Sequence, residues 1–177
     1  MSNSAVMVCF YPEFKGKVKQ VPCDFIFVVD RSGSMSGKYI KQAAETLMLF
    51  LKSLPKACSF NIVGFGSRFE KLFPMSVPYN QSNLDKAIAH TEELKADLGG
   101  THLYAPLEYI FSQPLNSRVT RQVFVLTDGS VSNTVEVIDL VRRNANKARY
   151  VCVSLYIIYN YIDWWMKDSP MYAIIIV

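Results

Sequence analysis

The strongest constraint on this chain is the run Asp24-Phe25-Ile26-Phe27-Val28-Val29-Asp30, which is apolar throughout its interior and does not alternate. A strand with one wet face alternates polar and apolar residues. A strand that stays apolar is buried on both faces, as in a parallel sheet covered by helices. Gln122 to Leu126 repeats the pattern and is stopped by Thr127-Asp128-Gly129. Ser59 to Phe65, Tyr150 to Leu155 and a short stretch at Arg68–Phe73 read as further strands. Between them, Ile40, Ala43, Ala44, Leu47 and Leu51 recur at helical spacing until Pro55. Leu84 to Leu94, Leu103 to Phe111 and Val135 to Val141 carry three more helical segments. Strands alternating with helices predict an α/β fold: a doubly wound, mostly parallel, Rossmann-like sheet flanked by helices, incomplete at its C-terminal edge.

Composition narrows the field. The chain has 177 residues, of which 50% are hydrophobic and 19% charged, so it is a globular chain of one-domain size and not a disordered one. Lys+Arg exceed Asp+Glu by 19 − 15, or +4. That charge is small and scattered, with Lys15, Lys17 and Lys19 its only dense stretch, and no nucleic-acid partner is expected. None of the four cysteines forms a CxxC pair, which argues against a structural zinc or a thioredoxin-type centre. Cys58 and Cys152 fall in strand-like runs and are expected to be buried thiols. No export signal is visible, which favours a cytoplasmic, or nuclear, location. Residues 1–21 read as a connector, 22–155 as the domain and 156–177 as a divergent hydrophobic segment. Asp163, Lys167, Asp168 and Pro170 interrupt the last of these, so no clear membrane span is expected there.

Chemistry-bearing residues collect at strand tips. In a doubly wound sheet, ligands bind beyond the carboxyl ends of the strands, where strand order reverses. Asp30 and Asp128 end the two best strands, and Thr101 follows Gly99-Gly100 in a third loop. Alternation would set Asp30, Ser32 and Ser34 on one side of an extended turn, with Gly33 letting the backbone bend. Two carboxylates and three hydroxyls form an all-oxygen set, suited to Mg²⁺, Mn²⁺ or Ca²⁺. Hydroxyl ligands leave such an ion electrophilic toward an outside carboxylate. The site is thus fitted to capture an Asp or Glu carboxylate of a protein partner.

Asp30-Arg31-Ser32-Gly33-Ser34-Met35, with the distant Thr101 and Asp128, resembles the metal-ion-dependent adhesion site of von Willebrand factor A domains. The resemblance covers about residues 22–155. It implies that Ser32, Ser34 and Thr101 contact the metal directly or nearly so, while Asp30 and Asp128 act through bound water. Gly33, Gly100 and His102 would then line the ligand side. Phe60-Asn61-Ile62-Val63-Gly64-Phe65-Gly66-Ser67 and Ala96-Asp97-Leu98-Gly99-Gly100-Thr101 look like the intracellular branch in which an A domain follows a VIT domain, as in proteins of the breast-cancer-suppressor-candidate type. Residues 6–12 would be the connector from that upstream domain. Two departures stand out: Ser130 replaces a common glutamate, and Tyr156–Val177 replaces the usual helix and strand, as in a truncated or alternatively ended product.

Three rivals remain in view. Ser32-Gly33-Ser34-Met35-Ser36-Gly37-Lys38-Tyr39 is a near miss for a phosphate-binding P-loop, failing at Ser32 and Tyr39. A structural domain with a vestigial metal site is the second. The third is a hydrolase, which lacks a nucleophile elbow, and His102 alone makes no triad. The expected function is non-enzymatic.

Overall fold

The computed structural model describes residues 22–114, 119–128, 131–146 and 148–154. Its strands are β1 (Cys23–Asp30), β2 (Cys58–Phe65), β3 (Phe69–Lys71), β4 (Val77–Pro78), β5 (Thr120–Thr127) and β6 (Ala148–Ser154). Its helices are α1 (Lys38–Ser53), α2 (Gln81–Glu92), α3 (Tyr104–Ser112) and α4 (Thr134–Arg143), with one 3₁₀ turn at Gly33–Met35. Strand order is β3-β2-β1-β5-β6, and β4 pairs with β2. β2, β1, β5 and β6 run parallel, whereas β3 and β4 lie antiparallel on β2.

The apolar run of β1 is buried from Ile26 onward because helices cover both sides of the sheet. Alternate side chains go to opposite layers. Ile26 and Val28 join Leu107 and Ile110 of α3 and Leu140 of α4. Phe27 and Val29 join Ile40, Ala43, Leu47 and Leu51, the buried stripe of α1. Phe124 of β5 closes that layer, its ring 5.7 Å from Phe27 and 5.4 Å from Phe50.

Several sequence expectations move. α2 begins at Gln81 and not Leu84, because the Asn80 carboxamide accepts the Asn83 amide and caps the helix. α1 is entered through Gly37 at φ +78°. Asp30, Ser32 and Ser34 do not share an extended segment, since β1 ends at Asp30 and Ser34 lies in the 3₁₀ turn. Gly33 has no positive φ, and a Cβ there would meet nothing closer than 3.9 Å, so the bend does not depend on it. The positive-φ glycines of this region are Gly37, at +78°, and Gly99, at +83°. Residues 1–21 and 155–177, on which the connector and the hydrophobic segment fall, lie outside the described residues, as do the Cys9 position and the Cys152 side chain.

Candidate functional site

β1 and β5 are neighbours in the sheet, and strand order reverses between them. Their carboxyl ends place Asp30 beside Thr127 and Asp128. Asp30 is fully buried. One of its oxygens accepts the Ser32 amide at 2.9 Å, and the other accepts the Thr127 hydroxyl at 2.7 Å. Both carboxylate oxygens are therefore engaged inside the chain. Burial raises its pKa; the Ser32 and Thr127 hydrogen bonds oppose that shift, and the Asp128 charge adds to it. Two neighbouring carboxylates, one of them buried, repel each other unless a proton or a cation offsets them.

The hydroxyl groups lie beside this pair. The Ser32 and Ser34 hydroxyl oxygens stand 2.9 Å apart, brought together by the 3₁₀ turn, with Ser32 buried and Ser34 exposed. The third loop is stitched on by its backbone, the Gly33 amide donating to the Gly99 carbonyl at 2.8 Å. Ser67 fixes the same loop, its hydroxyl accepting the Gly100 amide at 2.8 Å. Half-buried Thr101 has its carbonyl held by the Ser132 amide at 3.3 Å and the Ser132 hydroxyl at 2.8 Å. Its own hydroxyl is bonded to no other group among the described residues. The segments carrying Asp30, Ser32 and Ser34, then Thr101, then Asp128 therefore meet at one end of the sheet. Gly33 and Gly100 lie in the joints between them.

His102 is exposed at the rim. The single Ser132 hydroxyl proton goes to the Thr101 carbonyl, so at 3.3 Å Ser132 Oγ accepts from His102 Nδ1. Nδ1 thus carries a proton, and in the neutral ring Nε2 is an acceptor. His90 is half-buried on α2, and burial, then the Arg31 charge, lower its pKa.

Among the described residues no cluster of three or more His, Cys, Asp or Glu side chains could hold a metal. Sequence reasoning missed Thr127 as the second partner of Asp30, Ser67 as the clamp on Gly100, and Ser132 as the link between two loops. A hydroxyl directly before a strand-end aspartate was the visible signal for Thr127; the other two depend on tertiary placement. A cavity of about 180 Å³ lies at the opposite end of the strands, lined by Asp24, Ser59, Ile110 and Arg121 among others, and is separate from this site.

A family model for the von Willebrand factor type A domain matches residues 23–160. The chain belongs to the von Willebrand factor A family. Domains of this family are generally protein-interaction modules. Human von Willebrand factor A domain-containing protein 5A is 43% identical over 159 residues, covering 84% of this chain and 20% of that protein. The human 5B1 protein is 40% identical over 150 residues, covering 83% of this chain and 12% of that protein. A von Willebrand factor A domain-containing protein of Dictyostelium discoideum is 42% identical over 161 residues, covering 90% and 17%. The chain thus spans a fifth or less of these relatives' length. Among solved structures, the von Willebrand factor type A protein from Catenulispora acidiphila superposes with a TM-score of 0.65 at 18% identity, covering 75% of this chain and 33% of that one, a likeness of fold.

Proposed function

We propose that this von Willebrand factor A domain is a divalent-cation-dependent interaction module that captures an Asp or Glu carboxylate of a protein partner. The observation that carries the reading is the Ser32–Ser34 hydroxyl pair, 2.9 Å apart above the buried Asp30. Two oxygens at right angles on a Mg²⁺-sized ion, each about 2.0–2.1 Å from it, stand about 2.9 Å apart, the length of the hydrogen bond that joins this pair. The spacing is compatible with Mg²⁺, Mn²⁺ or Ca²⁺. In this reading Ser32, Ser34 and Thr101 supply the hydroxyl ligands, and Asp30 and Asp128 hold water and balance charge. When bound, the ion supplies a Lewis-acidic position for the partner carboxylate. Gly33, Gly100 and His102 frame the approach. The α1 N-terminus lies just beyond the 3₁₀ turn and adds partial positive charge.

The P-loop rival loses support, because the Gly33, Met35 and Ser36 amides donate to the Gly99, Ser32 and Gly33 carbonyls and are not open to cradle phosphates. Lys38 rests over the Tyr39 ring, 5.0 Å from its centroid. No catalytic step is assigned to the site. The cytoplasm or nucleus is the location this reading carries, with Cys58 a buried thiol on β2. Among the described residues no helix is long and apolar enough to cross a membrane.

Isothermal titration of the 177-residue chain with Mg²⁺ or Mn²⁺ tests the reading. The expected result is saturable heat that Asp30→Ala abolishes; equal heats from the two proteins overturn it.

A further inference from the structure

Between Asp30 and Ser32 sits a residue with no place among the cation ligands. Arg31 is 8% exposed, yet it carries a full charge. Its amide donates to the Phe65 carbonyl at 2.8 Å, and its carbonyl accepts from the Leu98 amide at 3.0 Å. Its guanidinium divides among three acceptors: the Lys95 carbonyl at 2.9 Å, Glu70 at 3.0 Å and Asp97 at 2.6 Å. The stem lies flat on Gly64, where a Cβ would come within 2.6 Å of Arg31 Cδ. This side chain therefore needs a glycine beneath it and a planar fork at its end.

The acceptors belong to different parts of the chain. Lys95 and Asp97 sit in the segment that runs into Gly99-Gly100-Thr101. Glu70 sits on β3, which contributes nothing to the site. We infer that Arg31, through Lys95 and Asp97, is the positioning residue that holds the Thr101 loop against the Ser32–Ser34 turn and thereby sets the cation affinity. This inference rests on the cation reading above and adds a control point to it. The backbone bonds Gly33–Gly99 and Ser67–Leu98 already join the loops; the guanidinium removes the freedom those bonds leave. Outer groups that orient metal ligands typically change metal affinity by about 10–100-fold when removed.

The two arms of the fork make the test specific. Mn²⁺ titration calorimetry on the wild-type chain, Asp97→Asn, Glu70→Gln and Arg31→Met is paired with thermal melts of each in chelator. Arg31→Met keeps the stem on Gly64 and loses the fork. Asp97→Asn and Arg31→Met are expected to weaken Mn²⁺ binding by about tenfold or more. Glu70→Gln removes only the contact to β3, outside the site, and leaves the affinity within about twofold. Affinity and chelator-state melting then separate: Asp97→Asn and Glu70→Gln melt alike but bind differently. If Arg31→Met does not fold, Asp97→Asn carries the test, since Asp97 is exposed. Wild-type affinity in Asp97→Asn, or equal losses in Asp97→Asn and Glu70→Gln, overturns the inference while the cation reading stands. No Mn²⁺ heat from the wild-type chain overturns both.

Discussion

Asp30 is a buried carboxylate whose charge works against the fold when nothing offsets it. Its pKa is raised by burial and by Asp128. A raised carboxyl pKa gives stability that is fully present below the ordinary carboxylate range and lost as pH rises through the folded value. Asp30→Asn is therefore expected to melt higher than wild type in chelator at neutral pH, and the gap should narrow on acidification. With Mg²⁺ present only wild type should gain stability, and melting curves at two pH values in both buffers check this. Two glycines separate conformation from position. Gly33→Ala should be silent, because a Cβ has room there. Gly99→Ala should cost about 1–2 kcal/mol in denaturant titration, since the residue sits at φ +83° and a Cβ would stand 2.8 Å from Ser67 Oγ, the clamp on Gly100. Cys58 is buried, which pushes its thiol up to about 11, with the neighbouring Cys23 adding to the rise. Native-state alkylation at pH 8 should spare Cys58, and the domain should lose stability as pH rises between about 9 and 11. Asp30, Asp128 and Thr101 could be picked out from local sequence because they stand at strand tips or after a glycine pair, and Ser32 and Ser34 from their alternate spacing after Asp30. Arg31 could not, since its acceptors lie 39 to 66 residues away.

At the scale of elements, the inner strands were legible and the margins were not. β1 and β5 read clearly because burial on both faces erases alternation. β4, two residues long, leaves no periodic trace and exists only through its pairing with Ser59 and Phe60. The α2 start had a local signal, Asn80, which the apolar spacing from Leu84 outweighed. The foot of the sheet holds a feature that depends on three elements together. Asp24 of β1 and Arg121 of β5 form a buried ion pair at 2.9 Å, and Ser59 of β2 donates to the same carboxylate at 3.0 Å. Arg121 also donates to the Ile110 and Gln113 carbonyls at the end of α3. Asp24→Ala leaves that guanidinium without its counter-charge and should cost about 3–5 kcal/mol by urea titration. Replacing both with apolar residues of similar size, Asp24→Leu with Arg121→Met, should recover most of the loss.

Across the whole molecule, the loops of the candidate site grow directly from its most deeply buried strands. Val29 and Leu126, the residues beside the Asp30 and Thr127 tips, are fully buried and paired in register. A cation bound only by the native chain stabilises it by mass action, about 2.7 kcal/mol at a hundredfold excess over the dissociation constant. The melting midpoint is thus expected to climb with Mg²⁺ concentration and to stop climbing in Ser32→Ala. Because the tips share the central ladder, the pocket has no hinge of its own on the β1–β5 side. Amide hydrogen exchange at Val29 and Leu126 should follow global unfolding and not a local opening. Grip on a partner would then persist undiminished until the domain melts, and vanish in the same cooperative step.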